Sequence, residues 1–183
     1  RWPAARAKHS LTALLPAATA PTSALLFGGH AGLATPLADA WLLQLVEAPV
    51  ANGVAVGARW TPLTCASSTA PAPRWAHCSV ALPSNGAALG RVLIYGGRDA
   101  DRSFGDAWVG TVVAGGCIDW RQLDAASPAS DGPGARYGAA AVTVPLPAGV
   151  GDGDAVIVHG GFRRPRLYTG DDGGSAGASR AHE

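Results

Sequence analysis

The side chains best equipped for chemistry in this chain come at repeated spacings. Arg6 stands three residues before His9, and Arg74 three before His77. Asp39 and Asp106 each precede a tryptophan by two residues, in Asp39-Ala40-Trp41 and Asp106-Ala107-Trp108. Two histidines are potential metal ligands, and an arginine and an aspartate can form an ion pair. The repetition favours a structural role for both sets. A carboxylate beside a partly buried tryptophan needs a partner, because an unpaired buried charge is costly. Arg6 and Arg74 are therefore expected to meet Asp39 and Asp106, or nearby backbone, once per repeat. His9 and His77 belong to the same recurring phrase, with metal ligation as the other reading.

Other candidates carry less. Cys65, Cys78 and Cys117 are odd in number and form no Cys-x-x-Cys pair, which predicts free, partly buried thiols in a reducing compartment. "GDGDAV", residues 151–156, offers Asp152 and Asp154, but a calcium loop of the EF-hand type needs more acidic ligands and a closing glutamate. A polar turn is expected there. Neither a Gly-rich phosphate cradle nor a Gly-x-Ser-x-Gly elbow is present. The basic cluster Arg163, Arg164 and Arg166 reads as a solvated loop or as a contact for an acidic partner surface. The segment after it, "TGDDGGSAGASRAHE", has the composition of a flexible tail.

Four phrases recur in fixed order and must position these side chains. Arg-x-x-His comes at Arg6–His9 and Arg74–His77, with Arg136–Ala139 as a degenerate third copy. An apolar run closed by Gly-Gly follows, at Gly28-Gly29, Gly96-Gly97 and Gly160-Gly161. Asp-Ala-Trp opens a strand-like run at Asp39 and Asp106, and Trp-x-x-Leu closes the unit at Trp60–Leu63 and Trp120–Leu123. Ala/Pro/Gly/Ser-rich stretches separate the phrases and read as loops, among them "EAPVANGVAVGA", residues 47–58. Each unit is expected to hold four short strands, and no 3.6-residue periodicity of helical length competes.

This order of phrases resembles the kelch repeat, over residues 3–161. The resemblance implies an all-β fold, a segment of a kelch-type β-propeller with four-stranded antiparallel blades. It places blade 1 at residues 1–63, blade 2 with its preceding loop at 64–132, the first half of blade 3 at 133–161, and a tail or loop at 162–183. Its departures are the long loops and the missing second half of the third unit. Glycine at the strand end suits a backbone with positive φ, or one approached too closely for a Cβ. Trp41, Trp60, Trp108 and Trp120 are expected to fill the wedges between blades, with Trp60 and Trp120 at equivalent places.

Function is expected in loops and open faces rather than in the repeated frame. Fourteen basic against 13 acidic residues give a net charge of +1, which argues against a nucleic-acid surface. No apolar run approaches a membrane span. The 183 residues lack methionine and start at Arg1, so a longer polypeptide is expected. The reading is a non-catalytic protein–protein interaction scaffold without cofactor or metal, a subunit of a larger assembly. A cytoplasmic location is expected, with a cytoskeletal or ciliary assembly as its context. The alternative implied by the resemblance is part of a metal-dependent oxidase or isomerase whose active site lies in other blades. Tyr95, Tyr137 and Tyr168 offer no marked copper site. Two and a half units leave open apolar faces, so the segment is expected to depend on a covering neighbour.

Overall fold

Short apolar runs rich in Leu, Val and Ile, stopped by paired glycines or by turn residues, have the length and side-chain shape of strands rather than helices. The computed structural model describes residues 2–15, 23–32, 35–50, 53–84, 86, 88–123, 133–146 and 154–163, and among them every regular element is a strand. The first repeat supplies β1 (Ser10–Ala13), β2 (Ser23–Phe27), a small hairpin of β3 (His30–Ala31) and β4 (Thr35–Pro36), then β5 (Ala40–Val50) and β6 (Gly53–Cys65). The second supplies β7 (Cys78–Leu82), β8 (Gly90–Tyr95), β9 (Ala107–Val113) and β10 (Cys117–Leu123). The third contributes β11 (Tyr137–Pro145) and β12 (Asp154–Phe162).

The order of pairing is β1-β2-β5-β6 in the first repeat and β7-β8-β9-β10 in the second, all antiparallel. The outer strands β6 and β10 join in parallel over only two residue pairs, Thr64 with Cys117 and Cys65 with Ile118. At the inner ends β1 meets β7, where Thr12 Oγ1 donates to Ser79 Oγ at 2.7 Å. Two four-stranded sheets therefore face each other and the eight strands nearly close on themselves.

Between these sheets lies the main core, with Leu25, Phe27 and Leu42 from one side and Ile94, Trp108, Val112 and Trp120 from the other. The Phe27 and Trp120 rings meet at 5.0 Å across the gap, tilted by 58° to each other. A second core forms on the far face of the second repeat, where Val80, Leu93, Tyr95 and Val109 receive Ala139, Ala141, Val156 and Val158 of the third. Strand alternation explains this: the residues on one face of β8 and β9 point to the first repeat, and those between them to the third.

Residues 47–50 and 53–58 differ from the expected loop. They extend β5 and β6 into a long hairpin, paired as far as Val50 with Gly53. Antiparallel pairing of the two facing strands satisfies the backbone as a ladder despite the loop-like composition. The β12 strand likewise runs to Phe162, one residue past the expected end of the third unit.

Candidate functional site

The Arg-x-x-His and Asp-Ala-Trp phrases meet in each complete repeat. Arg74 donates to both carboxylate oxygens of Asp106, at 2.6 and 2.9 Å, and to the carbonyls of Gly96 and Ala72. Its guanidinium also lies 4.1 Å over the Phe104 ring. Trp108 Nε1 donates to the same carboxylate at 2.7 Å. In the first repeat Arg6 grips Asp39 at 2.6 and 2.7 Å and the Gly28 carbonyl at 3.0 Å, while Trp41 Nε1 donates to Asp39. Arg136 makes the third version in part, bonding the carbonyls of Gly160 and Pro133. Both predicted pairings, Arg to Asp and Arg to backbone, are present together.

These clamps bind the start of each repeat to its second and third strands. Burial works to raise the Asp106 pKa, but the hydrogen bonds from Arg74 and Trp108 and the guanidinium charge outweigh it and hold the carboxyl low. Asp39 is shifted the same way by the same opposition. Neither carboxylate is poised to exchange a proton near neutral pH, and their oxygens are already engaged.

The di-glycines join each repeat to the next. Gly29 N–H donates to the Arg74 carbonyl at 2.9 Å, and Gly97 N–H to the Arg136 carbonyl at 2.8 Å. Arg74 N–H in turn donates to the Leu37 carbonyl, and Arg136 N–H to that of Phe104. A third bond runs from Ala76 N–H to the Lys8 carbonyl and from Gly138 N–H to the Ala76 carbonyl. A Cβ on Gly28 would lie 2.6 Å from the Arg74 carbonyl oxygen, and one on Gly96 would lie against that of Arg136. Both glycines also have positive φ, 62° and 67°. Close approach and left-handed backbone therefore both demand glycine here.

The histidines separate despite their matching positions. His77 is buried, accepts or donates at Ser10 Oγ over 2.8 Å, and packs edge-on to Phe27. Burial, with the Arg74 charge and His9 behind it, lowers its pKa to about 3, so the ring is neutral at physiological pH. His9 is exposed on the outer side of the first repeat. Among the described residues no group of three or more His, Cys, Asp or Glu could hold a metal ion. Cys78 is buried and its thiol is pushed up by burial, Cys65 is exposed, and Cys117 lies 3.2 Å from Thr64 Oγ1.

The tryptophans divide in the same manner. Trp60 pairs in register with Leu43, and Trp120 with Gly110, so the two occupy equivalent positions two residues beyond Trp41 and Trp108. Trp120 fills the wedge between sheets and covers Gly110, where a Cβ would lie 2.7 Å from its ring. Trp60 instead is half-buried on the outer face of the first repeat, 6.4 Å from Trp2. The expectation that all four tryptophans fill inter-repeat wedges therefore fails at Trp60 and also at Trp41, which alternates with the core residues Ala40 and Leu42 and so faces the same outer side, where no described repeat lies.

Exposed apolar side chains gather on the first and third repeats. Trp2, Leu11, Leu15, Leu45 and Val56 belong to the first repeat, and Val142, Ile157 and Phe162 to the third. The middle repeat contributes none among the described residues. The inner strands β1, β7 and β11 line an open groove of about 430 Å³, edged by Leu11, Val80 and Val142. Arg163 is exposed; Arg164, Arg166 and Asp152 lie outside the described residues, as does the tail from residue 164. The sequence reading missed the inter-repeat contacts of Ser10, Thr12, Ser79 and Lys8. Positive φ at Lys8 and Ala76, 55° and 53°, had one sequence signal: the corresponding residue of the third repeat is Gly138. Among the described residues no helix is long and apolar enough to cross a membrane. No family model matches the chain, and no curated protein matches it either.

Proposed function

We propose that the chain is a segment of a kelch-type β-propeller and acts as a non-catalytic protein–protein interaction scaffold, a subunit of a larger assembly in the cytoplasm, with a cytoskeletal or ciliary setting. One observation carries the reading. The charged side chains of the repeated phrases are consumed by the frame: Arg6 closes on Asp39 and Arg74 on Asp106, and His77 is neutral and buried between repeats. Exposed apolar surface is concentrated in the first and third repeats.

The kelch reading is supported by the Arg–Asp clamp recurring within both complete repeats and by the di-glycine junction recurring at both described repeat boundaries. The test is purification of the protein under native conditions, with size-exclusion chromatography, identification of co-eluting chains and metal analysis. Co-elution with stoichiometric protein partners and no stoichiometric metal is the expected result. One copper or iron atom per chain would overturn the scaffold in favour of a propeller enzyme.

A further inference from the structure

The junction between repeats has a donor side and a receiver side, and each open end of the described structure presents one of them. At the junction of first and second repeats, Thr12 reaches Ser79, Gly29 N–H meets the Arg74 carbonyl, and the Lys8 carbonyl receives Ala76 N–H. Counted from the arginine of each repeat, Val142 of the third repeat stands where Thr12 stands in the first. Leu11 of the first repeat stands where Ser79 stands in the second. The pair is polar at the first junction and apolar, Val80 with Ala141, at the second, and at the open ends the same two positions are aliphatic side chains, each 52% exposed.

The surrounding atoms match as well. On the third repeat, Gly161 corresponds to Gly29 and Gly97, and the Gly138 carbonyl corresponds to those of Lys8 and Ala76. On the first repeat, the Arg6 carbonyl corresponds to those of Arg74 and Arg136, and Lys8 N–H to that of Ala76. Strand alternation sets Leu45, Val56 and Trp60 on the Leu11 side of the first sheet, away from the second repeat. Ile157 pairs with Val142 in register on the face turned away from Ala141 and Val158.

Gly160 is the sharpest marker. It keeps the positive φ of Gly28 and Gly96, at 72°, yet a Cβ on it would meet nothing within 4 Å. At Gly28 and Gly96 that space holds the arginine carbonyl of the following repeat.

We infer that the third repeat of one copy docks the first repeat of a second copy, head to tail, with Leu11 seated on Val142 and the Arg6 carbonyl over Gly160 and Gly161. The inference rests on reading the chain as an interaction module of stacked repeats, and it names the partner as the chain itself. Such a contact is heterologous: it uses two different surfaces, so it propagates or closes into a ring.

Sedimentation velocity of the 183-residue chain over a range of concentrations tests this. Mass should rise with concentration. Leu11→Asp and Val142→Asp each place a charge in the contact, so each should weaken self-association by at least about a hundredfold. Because each variant keeps one intact face, mixing the two should restore a one-to-one dimer that grows no further. Gly160→Ala should abolish association while circular dichroism shows an unchanged fold, since its methyl group obstructs only the incoming carbonyl. A chain that stays monomeric at every concentration overturns the inference. So does association unaffected by one of the two aspartates, or a mixture that fails to pair. A monomeric chain that still co-purifies with a different protein would overturn the head-to-tail contact and leave the scaffold reading standing.

Discussion

Alanine at Gly96 and at Gly160 imposes the same backbone cost in two different surroundings. Both residues have positive φ, 67° and 72°, and forcing alanine into that region costs roughly 1–2 kcal/mol. At Gly160 the cost ends there, because the added methyl meets nothing within 4 Å. At Gly96 the methyl runs into the Arg136 carbonyl, with the Phe104 carbonyl oxygen 3.4 Å away. The third repeat must then move off the second. That movement strains the Gly97–Arg136 and Arg136–Phe104 bonds of 2.8 and 2.9 Å, each worth about 1 kcal/mol net. Gly96→Ala should therefore cost about 1–3 kcal/mol more than Gly160→Ala, and Gly28→Ala should follow Gly96. Urea unfolding of the full chain, at a concentration where sedimentation shows a monomer, measures the difference at constant m-value. Equal losses at Gly96 and Gly160 would refute the claim that the first glycine of each pair is there to admit the next repeat.

Asp106→Ala should destabilise by about 3–5 kcal/mol, because it strands a guanidinium with no exposed side-chain surface. Asp39→Ala also strands a buried guanidinium, since the Arg6 side chain is 3% exposed, but it should cost somewhat less because the Asp39 side chain is 43% exposed and water screens that end of the pair; chemical denaturation of both variants ranks them. Acid should weaken the fold well before the carboxylates titrate. His77 has a folded pKa of about 3 against 6.5 for the free group, so below pH 6.5 the unfolded chain takes up a proton that the folded chain does not. Stability is flat above that pH and should fall by about 2 kcal/mol at pH 5. Unfolding free energies from pH 8 to 5 check this, and His77→Gln should remove most of the slope; an unchanged slope would show that His77 is not its source. Tyr95→Phe removes the 2.6 Å bond to the Gly134 carbonyl and should lose about 1 kcal/mol, read as a lower midpoint in the same denaturation.

The strands before each Gly-Gly, and those opened by Asp-Ala-Trp, could be read directly because their apolar side chains and stop signals are local. The pairing of Arg74 with Asp106 was legible for a different reason. A carboxylate placed beside a tryptophan in two units, with an arginine at one matching position in each, leaves few ways to satisfy the charge. Residues 47–50 and 53–58 were not legible as strands, because their Ala, Pro and Gly content is that of a loop. Their backbone is satisfied by the facing strand, which no local window contains.

The chain alone determined what each unit does within itself: where its strands stop, which arginine meets which carboxylate, and where the backbone must turn through glycine. Those are short-range demands of hydrogen bonding and φ. Tertiary structure decided what identical letters become when their neighbours differ. His77 is neutral and enclosed while His9 is exposed, Trp120 fills a core while Trp60 rests against Trp2, and Gly96 admits a carbonyl while Gly160 meets open space. Burial is a property of what lies opposite a side chain, and a repeated motif specifies only its own half of each interface.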